Sequence, residues 1–305
     1  MVQAQTDVVK RQMEDLLIEV SVILPCYNDE QYIEDCLSSL LNQSYSSFEL
    51  FVINDGSTDK SLELIKGVKD KRIILINTPT NKGVAYARNL ALSKARGEYL
   101  FFTDSDCVVD KEWIQNGLNE MKKSNCLGLE GKTYYVSRNH ELTLSDKRPG
   151  DVEKDQQYMT CNMVYKKEAF DKVGGFDHSF TYHSDREFAF RVLALGKIAH
   201  TDTMLVIHRE KRWTIKSYLL SARRIKDRVM LIKYHGDQFA MRSRILMPVN
   251  LIKILVPPLA IAKPIISGKV RTWNDLKLVP FIYFKLVYER LLIWKTALKK
   301  KICII

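Results

Sequence analysis

VSVILPCYNDE (20–30), ELFVINDGSTD (49–59) and EYLFFTDSD (98–106) share one grammar: a short β-rich apolar run that stops at a polar turn carrying acids. RIILI (72–76) is a further apolar run of the same kind. Between the first two, Ile33, Cys36, Leu37, Leu40 and Leu41 recur at helical spacing, so a helix with one apolar stripe covers the sheet. Strand-like runs alternating with helix-period runs from Val20 to about Lys123 are the βαβ signature of a mostly parallel sheet flanked by helices. Ser57 or Thr58 is expected to cap the second helix and Gly97 to end the third.

In open α/β sheets ligands collect at the carboxyl ends of the strands, so the residues just after each run are the ones to examine. Three such turns bring acids to one edge: Asp29 and Glu30, Asp55 and Asp59, Asp104 and Asp106. Asp104-Ser105-Asp106 places two carboxylates on one side of an extended segment, where a hard divalent cation can bind and bridge a diphosphate. No GxGxxG or GxxxxGK follows any run, which argues against a dinucleotide-binding dehydrogenase or a P-loop enzyme. The countercharge for a diphosphate must then come from a metal and from cations such as Lys82 or Arg88.

Farther along, VSRNHELTLSDKRPGDVEKDQQ (136–157) is polar, contains Pro-Gly and reads as a loop excursion that covers a site. MTCNMVYKK (159–167), a short helix, GGF (174–176), a helical run from about Ser184 to Leu195 and KIAHTDTMLVIH (197–208) follow. From Arg209 to Ile305 there are 22 Lys and Arg against 5 Asp and Glu, net +17, in a chain of 305 residues whose formal charge is +11. The first 208 residues therefore carry −6, an acidic body with a basic tail.

Charge alone does not choose between a nucleic acid and an anionic membrane as the tail's partner. RILMPVNLIKILVPPLAIAKP (244–264) and VPFIYFKLVYERLLIW (279–294) are too apolar for a nucleic-acid arm, so an anionic membrane surface is expected and nucleic acid is not. Lys253, Lys263 and Pro257-Pro258 interrupt the first run, and Lys285, Glu289 and Arg290 the second, which favours an interfacial helix over a spanning one. An oligomer interface is the other use such runs could have. The six cysteines form no CxxC pair and read as buried thiols of a reducing compartment. The N-terminus has charges where a signal peptide needs its apolar stretch, so the catalytic body is expected on the cytoplasmic face of the membrane, peripheral or monotopic.

PCYNDE (25–30), INDGSTD (53–59), NKGVAYARN (81–89), GEYLFFTDSD (97–106), VGGFD (173–177), SDREFAFRVLALG (184–196) and VIH (206–208) occur in this order. As a set they resemble a family 2 glycosyltransferase, a family with the GT-A fold. The resemblance implies a GT-A catalytic domain over 20–210, with a nucleotide-binding half (20–125) and an acceptor half (126–210). An N-terminal extension (1–19) precedes it and a basic, amphipathic helical C-terminal region (211–305) follows.

Carried over by position, Pro25, Tyr27 and Glu30 would line the nucleotide pocket and Asp55 would bond the base. Arg88 would face the donor nucleotide or diphosphate, and Asp104 would sit near the ribose and metal. Asp106 would ligate the metal, Mn²⁺ or Mg²⁺, with His208 as a further ligand, and Asp185 would be the general base. Where the family commonly has Glu-Asp this chain has Ser184-Asp185, and His183 is the candidate to contact the acceptor instead.

The expected reaction is inverting transfer of a sugar from a nucleotide-diphosphate donor to an acceptor hydroxyl, on a lipid-linked or membrane-held glycan. Retention through a covalent intermediate would need another carboxylate; Glu187 and Asp177 are read as structural. A nucleotide-sugar-binding module without turnover, or a nucleotidyltransferase, are the alternatives. Donor hydrolysis without acceptor separates the first from an enzyme, and the missing glycine-rich basic loop near the N-terminus argues against the second.

Overall fold

The computed structural model describes residues 18–136, 157–209, 215–239 and 279–301. Most of the expected N-terminal extension, the interior of the 136–157 excursion and the 244–264 run lie outside the described residues. Eight strands form one sheet: β1 (Val20–Cys26), β2 (Phe48–Asp55), β3 (Ile73–Thr78), β4 (Tyr99–Phe102), β5 (Cys107–Val109), β6 (Gly128–Val136), β7 (Met163–Lys166) and β8 (Ile198–Arg209). The helices are α1 (Ile33–Leu41), α2 (Ser61–Gly67), α3 (Val84–Leu92), α4 (Trp113–Lys123), α5 (Lys167–Val173), α6 (Ser184–Leu193), α7 (Ile215–Leu220), α8 (Ile225–Phe239) and α9 (Val279–Lys300).

The strand order is β3-β2-β1-β4-β7-β6-β8-β5. β3, β2, β1 and β4 pair in parallel, and β1 and β2 are buried along their whole length because both faces carry packed layers. On one face, Ile33, Cys36, Leu37 and Leu40 of α1 join Val22, Leu24, Leu50, Phe101 and Trp113 in the main core. On the other lies an aromatic cluster of Phe102, Tyr165, Phe170, Phe176 and Phe188, with Phe170 and Phe188 stacked at 4.2 Å. That cluster seats α6 on the sheet.

Beyond β4 the sheet is mixed. β7 pairs antiparallel with β4 and β6, β6 pairs parallel with β8, and β8 pairs antiparallel with β5. The β6–β8 register breaks once, from Gly131↔Thr201 to Lys132↔Leu205, so residues 202–204 bulge out of β8. Asn162 fills the break: its Nδ2 donates to Lys132 O and Met204 O, both at 3.0 Å, and its Oδ1 accepts from Trp113 Nε1 at 2.8 Å. Gly131 is required there, since a Cβ would come within 2.4 Å of Met204 O.

Two capping expectations need correction. Ser57 and Thr58 do not cap α2, which starts at Ser61: Asp59 Oδ1 accepts from Ser61 N at 3.0 Å, while Ser57 and Thr58 bond Asn28. Gly97 does not end α3, which stops at Leu92; it is pressed against β1, donating to Ser21 Oγ at 2.8 Å, and a Cβ would lie 2.5 Å from Ser21 N.

The chain divides into two compact units. Among the described residues the first comprises 18–136, 157–179 and 184–209, and the second 180–183, 215–239 and 279–301. In the second, α9 packs on α7 and α8 through Leu292, Ile293 and Ala297, and Lys285 lies over the Tyr218 ring at 4.3 Å. Among the described residues no helix is long and apolar enough to cross a membrane.

Candidate active site

The carboxyl ends of β1 and β2 are laced together by their own turns. Asn28, in the left-handed region at φ 54°, accepts from Thr58 N at 2.8 Å and donates its own N–H to Ser57 Oγ at 3.0 Å. Glu30 accepts from Lys60 N at 2.9 Å and donates its N–H to Asp59 Oδ2 at 3.1 Å. Asp29 donates through its backbone to Ser61 Oγ at 2.8 Å and accepts from Ser105 Oγ on the β4 side.

Asp55 is buried and receives Lys82 N at 3.0 and 3.1 Å, Gly83 N at 2.8 Å and Thr78 Oγ1 at 3.0 Å. Charge-assisted bonds from backbone N–H groups fix the entry of α3 against β2. Gly56, at φ 69°, makes the approach possible, because a Cβ there would meet Thr80 C at 2.4 Å. Of the expected nucleotide-facing residues, Pro25 is buried in β1, whereas Tyr27 is 43% exposed just past its end.

At the end of β4 the arrangement differs. Arg88, 4% exposed, projects from α3 and donates Nη2 to Asp104 Oδ1 at 2.8 Å, while its Nε is buried with no hydrogen-bond partner. Asp185, second residue of α6, accepts from Arg186 N at 2.8 Å and feels both Arg88 and Asp104. The residue keeps some accessible surface, yet burial of its carboxyl pushes it above the usual carboxylate range, against the opposing pull of Arg88 and Arg186. A carboxylate raised in this way is a stronger base.

Asp106 and His208 are brought together by the antiparallel pairing of β5 with β8, in which Cys107 faces His208. His208 Nε2 lies 3.6 Å from Asp106 Oδ1, beyond hydrogen-bond length, and Nδ1 is buried with no hydrogen-bond partner. One oxygen and one imidazole at that separation fit a shared divalent cation. Cys107 Sγ belongs to the same cluster, its ligand atom within 4.8 Å of the others. Burial pushes that thiol well above its ordinary value, and a neutral thiol is a poor ligand for a hard cation, so Asp106 and His208 are the residues suited to Mn²⁺ or Mg²⁺.

Glu187 and Asp177 have other duties. Glu187 forms a two-pronged pair with Arg191 at 2.7 Å, and Arg191 also bonds the carbonyls of Val173 and Gly175. Asp177 Oδ1 accepts from Ser179 N at 2.7 Å, an Asx turn.

Sequence reasoning assigned no role to Asn89, whose amide grips both backbone groups of Phe176: Nδ2 donates to Phe176 O at 2.8 Å and Oδ1 accepts from Phe176 N at 2.9 Å. Gly175 leaves room for it, since a Cβ would meet Asn89 Oδ1 at 2.5 Å. A cavity of about 270 Å³ between α3 and α5, lined by Ser93, Leu100, Lys167 and Phe170, includes none of the acidic edge residues.

Residues 21–181 match the family model described as glycosyl transferase family 2. An uncharacterized glycosyltransferase of Haemophilus influenzae is 46% identical over 114 residues, 37% of this chain and 46% of that one. The chain thus spans about half the length of that relative. The Escherichia coli UDP-Glc:alpha-D-GlcNAc-diphosphoundecaprenol beta-1,3-glucosyltransferase WfaP is 29% identical over 68% of this chain and 82% of that one. Among solved structures, S. aureus TarS 1–349 in complex with UDP-GlcNAc aligns with a TM-score of 0.58 at 18% identity, over 93% and 92% of the two chains. The mannosyltransferase PcManGT from Pyrobaculum calidifontis, in complex with GDP-Man and Mn²⁺, aligns with a TM-score of 0.55 at 16% identity, over 92% and 86%. These likenesses identify the fold as GT-A.

Proposed function

The chain belongs to glycosyl transferase family 2, and from that premise we propose that it moves a sugar from a nucleoside-diphosphate donor to an acceptor hydroxyl by single displacement with inversion. The observation that carries this reading is the Asp106–His208 pair at 3.6 Å, with Asp106 two residues past Asp104 in the turn between β4 and β5. When bound there, Mn²⁺ or Mg²⁺ supplies positive charge against the departing diphosphate. The buried guanidinium of Arg88 adds positive charge beside Asp104 and faces the donor.

Asp185 takes the proton of the acceptor hydroxyl as that oxygen bonds to the anomeric carbon. The bond from that carbon to the diphosphate oxygen breaks on the opposite face, and the nucleoside diphosphate leaves. Inversion is supported by the employment of Glu187 in the Arg191 clamp and of Asp177 in its turn. Tyr27, exposed at the end of β1, offers a face to the base, with Pro25, Glu30 and Asp55 holding the turns around it.

A lipid-linked acceptor is the reading for this chain because WfaP, by its name, acts on a diphosphoundecaprenol-linked sugar, and because the C-terminal helices carry a surface suited to a bilayer. On α9, Phe284, Tyr288, Leu291 and Leu298 are 60%, 37%, 54% and 80% exposed and recur at helical spacing, with Lys295, Lys299 and Lys301 exposed beside them. Each basic residue near an anionic surface contributes about 1 kcal/mol, enough in combination for reversible docking on the cytoplasmic leaflet.

Thermal shift against a panel of nucleotide sugars, with and without Mn²⁺, tests the donor and metal. Stabilisation by one nucleotide sugar that requires the metal is expected, and full turnover in excess chelator would defeat the metal-assisted reading. Flotation with anionic and neutral liposomes tests the docking: salt-sensitive binding to the anionic ones alone is expected. A protein that ignores both and is a closed oligomer uses the tail for assembly.

A further inference from the structure

Tyr165 stands in β7, in register between Leu100 of β4 and Gly128 of β6. Its ring is fully buried, and three others meet it edge-on: Phe188 at 5.0 Å, Phe170 at 5.9 Å and Phe102 at 6.1 Å. Gly128 leaves the room, since a Cβ there would lie 2.7 Å from the Tyr165 ring. Close packing on these sides holds the ring to one position.

The hydroxyl at its end is the anomaly. It is buried and has no hydrogen-bond partner, although phenylalanine would fill the same space without stranding a polar group. Its polar surroundings are those of the acidic site. Phe188, which packs on the ring, lies three residues after Asp185 on α6 and so on the same helical face. Burial pushes the phenol well above its ordinary value; Asp185 adds most among its neighbours, then Glu130 and Tyr158, and Arg88 opposes them. Asp185 in turn faces Arg88 from α3, Asp104 past the end of β4 and Arg186 on its own helix, whose N–H it accepts at 2.8 Å. A carboxylate offers about four lone-pair sites, so room remains for a phenol and an acceptor hydroxyl together. All of these residues belong to the first compact unit.

We infer that Tyr165 is a positioning residue for the transfer reaction: held in place by the rings around it, its hydroxyl is the donor that orients the Asp185 carboxylate once the acceptor is bound. The inference rests on the reading of Asp185 as the base. Catalytic hydrogen bonds are often long in a free enzyme and tighten in the loaded one, so an unpartnered hydroxyl beside a base is placed to gain its bond there. Such a bond also favours the ionised carboxylate. A tyrosine kept only for packing would have no effect on the chemical step.

The test uses the full-length protein with Tyr165→Phe, Asp185→Asn and the double variant. The donor is the nucleotide sugar that the thermal-shift panel selects, and turnover is read as release of nucleoside diphosphate. Tyr165→Phe removes one oxygen and no folded-state bond, so its melting temperature should match or exceed that of the wild type. Misplacing a reacting group by about 1 Å costs on the order of 100-fold, so kcat is expected to fall by about 10- to 100-fold with donor Kd unchanged. The acid limb of the kcat profile should move to higher pH, because the ionised carboxylate loses a donor while Arg88, Asp104 and Arg186 stay as they are. In the Asp185→Asn background, Tyr165→Phe should cost no more than about 2-fold further.

Wild-type kcat in Tyr165→Phe overturns the inference. So does a loss of kcat that travels with weaker donor binding or a lower melting temperature, which marks general damage. An equal loss in the wild-type and Asp185→Asn backgrounds overturns it too, since the hydroxyl would then act through another group such as Glu130. A fully active Asp185→Asn removes the base assignment and this inference with it. Normal dependence on Asp185 with a fully active Tyr165→Phe removes only the inference.

Discussion

The sheet presents two acidic edges that look alike in sequence and differ in bonding. Where β1 and β2 end, acids are spent on the protein itself: Asp55 takes Lys82 N, Gly83 N and Thr78 Oγ1, Glu30 takes Lys60 N, and Asp59 takes Glu30 N and Ser61 N. Past the end of β4, and where β5 pairs with β8, bonding capacity is left over, with Arg88 Nε and His208 Nδ1 buried and unpartnered and His208 Nε2 at 3.6 Å from Asp106. Buried orphans of this kind cost about 1 to 3 kcal/mol each, a cost consistent with a site that binds charged partners. The first edge is braced by bonds within its own turns, around the exposed Tyr27 that we propose faces the base; the second is where we propose the metal and diphosphate bind.

The comparison is most exposed at Asp185. Asp185→Asn is expected to lower kcat by about 10² to 10⁴ with donor affinity kept. Its stability should not fall. Burial raises the folded-state pKa, so the folded protein holds that proton more tightly than the unfolded chain and ionisation costs stability above the folded pKa. That cost vanishes as pH falls below the ordinary 3.8, so at neutral pH the asparagine variant should melt at or above the wild-type temperature, and the difference should close in acid. A near wild-type rate would place Asp185 with the bracing acids of the first edge.

Asp106→Ala and His208→Ala come next, with losses of about 100-fold or more and about 10- to 100-fold, accompanied by weaker Mn²⁺ dependence of donor binding in calorimetric titration. Unchanged metal response in both would mean that the second edge does not hold the cation.

Asp55→Ala probes the first edge. Leaving the N–H groups of Lys82 and Gly83 and the Thr78 hydroxyl without their acceptor should cost about 1 to 3 kcal/mol each at most, measured by denaturant unfolding. Intact stability with lost catalysis would dissolve the distinction between the edges. The smallest effect on stability belongs to Leu298→Glu on α9: within about 0.5 kcal/mol, while liposome flotation weakens.

The parallel half of the sheet was legible because its strands are unbroken apolar runs, and α1 because one stripe of Ile33, Cys36, Leu37 and Leu40 is buried. The mixed half was harder. β5 is three residues long, and β6 owes its place to partners distant in sequence. Asp106 and His208 were matched through the resemblance, since nothing in their separation of 102 positions announces that β8 returns beside β5. Asn89 and Asn162 escaped notice for a shared reason: each acts by bonding backbone groups of another segment, and such bonds impose no periodicity on a sequence. Ser57 and Thr58 looked like caps because hydroxyls near a helix start usually are. Asn28 claims both through bonds that only the fold creates.

The bulge at residues 202–204 governs what lengths of chain β8 can tolerate. Three residues are an odd number, and side chains in a strand alternate with period two, so the bulge sets which face residues 205–209 present. Removing one residue from it would either force β8 to close up with Leu205 to Arg209 turned over, carrying His208 away from Asp106, or tear the pairing with β5. Removing two would preserve parity and keep His208 in place. Insertions and deletions here should therefore be counted as even or odd rather than as small or large, and a one-residue deletion more than 3 residues away along the chain should disable the edge as surely as replacing His208 itself.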